Sequence, residues 1–336
     1  MADANVRRKN LVFITGYLKE NTLKVISSPK SGEAIAGSII VATDDVNAHK
    51  VQFYAPKTFK SGKGNRLYDE LAKILPTVTI SMASYLMQNP SANFSIASQC
   101  STKITVRAHF DEYASRIDNK ERSIITLKGD SVSIKTVTDA QGFKPSAKFA
   151  VEMFIKSIAN ETKYENGEPI ETERLVITGL IPDYTNRMHQ ITFVTGTKEV
   201  SDFVSSNYHQ NQTANFTGYL VNTTIREEAP QVDAGDSFGW GDFNTKGKTT
   251  FVHERVIMGR ESNKIPLEPT DPGAITLEEV KNGLVLRDEQ IIKNTTNRNN
   301  GSSSSSSSRS VSQSAPVAQP IATPTDAFTS LDLNDF

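Results

Sequence analysis

The 336-residue chain holds one cysteine, Cys100, so no intramolecular disulfide can form and a thiolate zinc site within one chain lacks its ligands. No apolar run approaches the roughly 18 residues of a membrane span. The opening MADANVRRKNLVFITG lacks a long apolar stretch followed by small residues. These absences fit a soluble protein of a reducing, cytoplasmic compartment. Catalytic signatures are missing too: there is no Walker loop, no paired CxxC and no HExxH. The five histidines, His49, His109, His189, His209 and His253, lie far apart without ligand spacing. Asp44–Asp45 and Glu227–Glu228 read as solvated turns rather than metal carboxylates. His109 and Asp111 flank Phe110, but no third group is there to orient them. The expectation is a protein that is not an enzyme and holds neither metal nor cofactor.

Net charge is also nearly absent, at -1, but its distribution is uneven. Residues 1–75 carry nine Lys and three Arg against four Asp and three Glu, whereas residues 309–336 carry one Arg against Asp326, Asp332 and Asp335. A basic working face and an acidic tip can hide in a neutral total.

What is present is β-structure. Segments rich in Val, Ile and Phe, set between Gly, Pro, Asn and Asp turns, read as strands at 11–18, 35–42, 50–54, 77–82, 103–110, 123–127 and 131–137. A second set falls at 149–158, 174–181, 189–195, 215–221 and 250–258. Two stretches have helical spacing: 66–75, with Leu67, Leu71, Ile74 and Leu75 on one face before Pro76, and 198–208, with Val200, Phe203 and Val204. Each half therefore runs strands, one helix after the third strand, then more strands, an order that suits a small closed barrel and suggests duplication. ITGYLKENT, ITGLIPDYT and FTGYLVNTT, centred on Gly16, Gly179 and Gly218, echo one another and either support that duplication or are chance matches in β-rich sequence. Residues 275–292 have the composition of one or two short helices. The Ser-rich stretch beyond them cannot offset its ordering entropy by apolar burial, so it should be disordered.

The implied organisation is a basic arm at 1–10, barrels at 11–140 and 146–260, a short helical extension at 261–293, a disordered linker at 294–327 and an acidic-hydrophobic tip at 328–336.

Aromatics interleaved with cations point to single-stranded nucleic acid, which stacks its bases on rings and lays its phosphates along positive grooves. In the first half the candidates are Phe53, Tyr54, Phe59, Phe110 and Tyr113, near Lys50, Lys57, Lys60, Lys63, Arg107 and Arg116. Residues 57–66, KTFKSGKGNR, are either a phosphate-contacting loop or an ordinary solvated one. Arg7, Arg8 and Lys9 either reach phosphate or only solubilise the lead-in. In the second half the candidates are Tyr184, Arg187, Phe193, Tyr208 and Tyr219, with Phe238, Trp240 and Phe243 in a Gly-rich loop; Trp240 either stacks on a base or packs back on its own domain. Phe13, between Val12 and Ile14, is assigned to the barrel interior or its flank.

NLVFITGYLKENTL (10–23) and HQITFVTGTKEVSDFVSSNYHQNQTANFTGYLVNTT (189–224) resemble, respectively, the opening strand and the third strand, helix and fourth strand of the single-stranded DNA-binding proteins of bacteria and their phages. That resemblance implies an all-β protein with short helices: two OB-fold domains, five-stranded Greek-key barrels, in tandem, plus a disordered C-terminal tail. It implies sequence-independent binding and protection of single-stranded DNA in replication, recombination or repair. It also implies recruitment of replication or repair proteins by the tip residues Asp332, Leu333, Asp335 and Phe336, although this tip has fewer acidic residues than the family pattern and no proline before its final Phe. A divergent, phage-encoded member acting in the host cytoplasm, as a homodimer or a monomer, fits this pattern. The alternative is a viral structural or assembly protein whose barrels make protein contacts.

Overall fold

The computed structural model describes residues 8–28, 32–75, 102–117, 120–135, 142–165, 168–226, 249–261 and 265–301. The strand predicted at 77–82, the loop bearing Phe238, Trp240 and Phe243, the tip and Arg7 lie outside them. No described helix is long and apolar enough to cross a membrane.

Alternation builds the first barrel. In β4 (Ala48–Pro56), His49, Val51, Phe53 and Ala55 are buried, while Lys50, Gln52 and Tyr54 are exposed, the period of two that a one-sided strand requires. β1 (Asn10–Asn21) pairs antiparallel with β3 (Gly32–Ala42) and with β5 (Lys103–Ile117). β3 carries the short hairpin strand β2 (Lys24–Ser28) on one side and β4 on the other. β5 pairs with β6 (Lys120–Lys135), and a parallel β4–β6 contact closes the circle. The helix α1 (Arg66–Ala72) follows the third barrel strand, opened by the Asn65 side chain accepting the Leu67 N–H; Leu71 and Ile74 are buried in the core.

The second barrel repeats the circuit with β7 (Ser146–Glu165), β8 (Glu168–Pro182), β9 (Met188–Thr195), the helix α2 (Lys198–Asn207), β10 (Thr213–Arg226) and β11 (Thr249–Arg260). β7 pairs with β8 and β10, β8 with β9, β10 with β11, and β9–β11 is the parallel closure. The helix after the third strand is present in both halves, as the sequence order predicts. The echo of glycines does not mark the duplication, because Gly16, Gly179 and Gly218 fall on the first, second and fourth strands of their barrels. At Gly16 and Gly218 a Cβ would collide with the carbonyl oxygens of Ala42 and Val256. The real repeat is on the third strands. His49-Lys-Val-Gln-Phe-Tyr54 matches His189-Gln-Ile-Thr-Phe-Val194, with both histidines and both phenylalanines buried.

The barrels are not separate units. β1 pairs antiparallel with β7, Asn10 opposite Val151 through Thr15 opposite Ser146, so β6–β5–β1–β7–β10–β11 is one continuous sheet. Beneath it Phe110, Phe149 and Phe193 meet with ring centroids 5.3–6.0 Å apart, joining both interiors in a single core.

One further expectation is corrected: β6 is one strand rather than two. The C-terminal extension is one helix, α3 (Leu277–Gly301). Gly283 does not interrupt α3, because its missing Cβ lets the helix press on Met188 and the Asn186 carbonyl. Ile275 and Val280 bury themselves with Phe154, Leu180 and Met188 on the outside of the second barrel.

From there α3 reaches the first barrel. Arg287 donates through Nε and Nη2 to the Glu112 carboxylate of β5 at 2.9 and 2.6 Å, and also to Glu121 of β6. Glu112 accepts in addition from the Ser123 hydroxyl at 2.7 Å and the Gln190 backbone N–H of β9 at 3.0 Å, while its own N–H donates to Nδ1 of His189. Burial alone would raise the Glu112 carboxyl, but the Arg287 guanidinium and these donors hold it below the ordinary value.

Replacing Arg287 with Ala should therefore cost about 3–5 kcal/mol, the range for stripping a buried charge of its partner; denaturant unfolding measures it. A loss within 1 kcal/mol would mean that Glu112 is solvated. A second expectation concerns acid. His49 is buried with Nε2 making no hydrogen bond among the described residues, and burial pushes its pKa from 6.5 to about 4 despite nearby Asp44. The unfolded chain thus takes up that proton first, and stability should fall as pH drops from 6.5 to about 4, by up to about 3 kcal/mol. Glu112, depressed in the fold, adds its own loss below the ordinary carboxylate value of 4.5. His49→Leu should flatten the upper part of that slope in unfolding curves recorded against pH.

Candidate nucleic-acid interface

The outward positions of β4 form the first patch. Tyr54 lies opposite Ala36 of β3, which lies opposite Lys24 of β2; Gln52 lies opposite Ser38, and Lys50 opposite Ile40. The small side chains of Ala36 and Ser38 leave the Tyr54 ring 54% exposed. Beyond Pro56 the chain makes a compact turn, in which Phe59 N–H donates to the Lys63 carbonyl at 2.8 Å and Gly62 N–H to the Phe59 carbonyl at 2.8 Å. It presents Phe59, half exposed, with Lys60 and Lys63. Lys24, Lys50, Lys60 and Lys63 are exposed and make no ion pair among the described residues. On the far side of β4, Lys128 of β6 is level with Gln52 and is held by Asp111.

A second patch crosses the sheet between the barrels. Register places Arg107 of β5 opposite Phe13 of β1, Phe13 opposite Lys148 of β7, and Lys148 opposite Tyr219 of β10. Two half-exposed rings thus alternate with two exposed cations in one row. Phe13 and Lys148 were missed by sequence reasoning. The alternation Val12-Phe13-Ile14 carried the signal: with Val12 and Ile14 fully buried, Phe13 must point the other way. Between the two patches, Tyr17, Ala42, Ala48 and Phe143 pack together.

Other candidates are core or structural. Phe53, Phe110, Phe193 and Tyr208 are buried, Phe110 and Phe193 in the ring cluster joining the barrels and Tyr208 against Phe216, and none of them is available to stack on a base. Arg8 is spent on Glu152 and the carbonyls of Gly273 and Ala274, which anchor the arm to the second barrel. Lys9 pairs with Glu261 at 2.6 Å. Lys57 pairs with Glu33 at 3.2 Å, and Tyr68 bonds the same carboxylate, which is lowered as a result. Arg187 lies between Asp111 and Asp183 at 3.2 and 3.1 Å. Burial would raise Asp183, but the hydrogen bonds from His189, Thr185 and Arg187 hold it far below the ordinary value. Tyr113 and Arg116 are exposed further along β5, six and nine residues beyond Arg107, and Tyr184 is exposed in the β8–β9 turn. His109 bonds Asp130 at 2.9 Å while Asp111 is taken by Lys128 and Arg187, so the pair flanking Phe110 forms no acid–base couple. Among the described residues no group of three His, Cys, Asp or Glu is gathered to hold a metal ion.

Two closed five-stranded barrels, each with a parallel contact between third and fifth strands and a helix between third and fourth, define a tandem OB-fold protein. The chain belongs to the YorF family, whose match spans residues 9–290. No curated protein matches it. Among solved structures it is similar to the wild-type single-stranded DNA binding protein from Thermus aquaticus, with 12% identity and a TM-score of 0.40, covering 80% of this chain and 98% of that one. An internally truncated point variant of the same Thermus aquaticus protein gives 13% identity and a TM-score of 0.42, covering 79% and 98%.

The assignment of rings to core and surface has a direct check. Phe110→Ala should cost about 3–5 kcal/mol through the cavity left at the barrel junction, whereas Phe13→Ala should cost under about 1 kcal/mol. Equal losses in thermal unfolding would mean that Phe13 is packed inside.

Proposed function

We propose that this chain binds single-stranded DNA without strong sequence preference, on the outer face of its first barrel. One observation carries the reading: Lys50, Gln52 and Tyr54 occupy consecutive outward positions on β4, continued by a turn bearing Phe59, Lys60 and Lys63. Flat rings accept any base by stacking, worth about 1–3 kcal/mol each, and flexible ammonium groups follow the phosphates. A duplex keeps its bases stacked inside, so rings on a barrel face gain little from it. The Arg107–Phe13–Lys148–Tyr219 row extends the track toward the second barrel.

In this reading the bound strand is kept free of hairpins and shielded from nucleases during replication, recombination or repair in the cytoplasm. The terminal residues Asp332, Leu333, Asp335 and Phe336 serve as a docking peptide for partner proteins. The Phe336 ring suits an apolar pocket, and its α-carboxylate together with Asp335 suits a basic rim.

Titration with oligothymidine at two salt concentrations tests this. Binding should be tight in dilute buffer and weaken steeply with salt as counterions are released, with duplex bound far more weakly. Tyr54→Ala combined with Phe59→Ala should lower affinity about tenfold or more, the loss of at least one stacked base. Indifference to oligothymidine in dilute buffer, or equal affinity for duplex, rejects the proposal.

A further inference from the structure

The barrels share one pairing scheme, so their matching positions can be compared directly. With the buried histidines and phenylalanines as fixed points, Lys50, Gln52 and Tyr54 of β4 correspond to Gln190, Thr192 and Val194 of β9. The first set offers a cation and a ring. The second offers neither, and the residues opposite it on β8 are Leu180, Thr178 and Val176.

The second face is also taken at one end. Leu180 points outward from its barrel, opposite Gln190, yet is 1% exposed, because Ile275 and Val280 at the start of α3 pack on it together with Phe154 and Met188. The Gln190 side chain accepts from Lys156 at 2.8 Å, and its backbone N–H is held by Glu112 of the first barrel. Arg255 of β11 donates to the Thr192 carbonyl and sits over the Phe110 ring, and burial lowers its pKa to about 10. These charges are committed to holding protein together.

We infer that the two barrels have divided their labour: the single strand lies on the β3–β4 face of the first barrel, while the matching β8–β9 face of the second, one end of which seats α3 and meets the first barrel, takes no nucleic acid. This rests on the single-stranded DNA reading and narrows it to one such platform per chain. Two such barrels need not both keep a ligand face, because burying the end of one beneath a helix stabilises the pair.

Matched substitutions test it, because Gln52 and Thr192 are equivalent and both exposed, so neither change should disturb folding. Gln52→Glu places a carboxylate where the phosphates would run and should weaken oligothymidine binding about tenfold in dilute buffer. Thr192→Glu should leave it within about twofold. Amide hydrogen exchange on the unmodified protein gives a second readout, with added oligothymidine slowing exchange along β4 and leaving β9 unchanged. Weakening by Thr192→Glu as large as that by Gln52→Glu, or slowed exchange on β9, overturns the division of labour while the DNA reading stands. Absence of any oligothymidine binding by the unmodified protein overturns both.

Discussion

A carboxylate from one barrel closes the other. Among the described residues no strand pairs with the edge of β9 around Gln190, since its parallel contact with β11 covers only Val194 and Thr195. An unpaired strand edge away from solvent is costly unless its polar groups find partners. Glu112 of the first barrel supplies one for the Gln190 N–H, and the Arg255 guanidinium supplies one for the Thr192 carbonyl. A buried carboxylate must itself be neutralised, and Arg287 of α3 does so. The first barrel, the second barrel and the C-terminal helix thus meet at a single ion pair, and none can shift alone without leaving a charge or a strand edge unsatisfied. Buried ion pairs are weak evidence for net stability, because desolvation offsets much of their attraction. Their contribution here is to fix one relative placement of three elements.

That fixed placement governs what the surface can offer. β1 and β7 pair along their first halves, so the outer faces of both barrels merge into one sheet and side chains distant in sequence come into one row. Phe13 and Tyr219 lie about two hundred positions apart in the chain, yet only Lys148 stands between them in register. The same pairing brings Phe110 against Phe149 and Phe193 and removes two attractive rings from the surface. Ion pairing removes cations in the same way. Arg8 and Arg187 have the composition of phosphate contacts but stand among carboxylates and carbonyls that hold the barrels and the N-terminal arm in place.

Two barrels built on one strand order, with different outward residues, account for the rest. Both third strands keep His, an aliphatic residue and Phe facing inward, because the interior of a small barrel tolerates little change in volume. Their outward positions are under no such constraint, and there the two halves differ: Lys, Gln and Tyr against Gln, Thr and Val. The covered end of the second face is where α3 found an apolar seat, with Gly283 thinning the helix where it crosses Met188.

Short-range periodicity already determined much of this protein. Alternating apolar residues placed most of the strands, the 3.6-residue spacing placed α1 and α2, and the order of elements implied two small barrels with a helix after each third strand. Within a single strand, alternation also separates Phe53 from Tyr54 and Phe13 from Val12 and Ile14. What the sequence by itself could not decide is which members of an alternating set stay in water once another element arrives. Phe110, Phe193 and Arg8 were settled by partners 39 to 266 positions away, and no local pattern encodes the charge or the ring that meets a residue across a closed barrel.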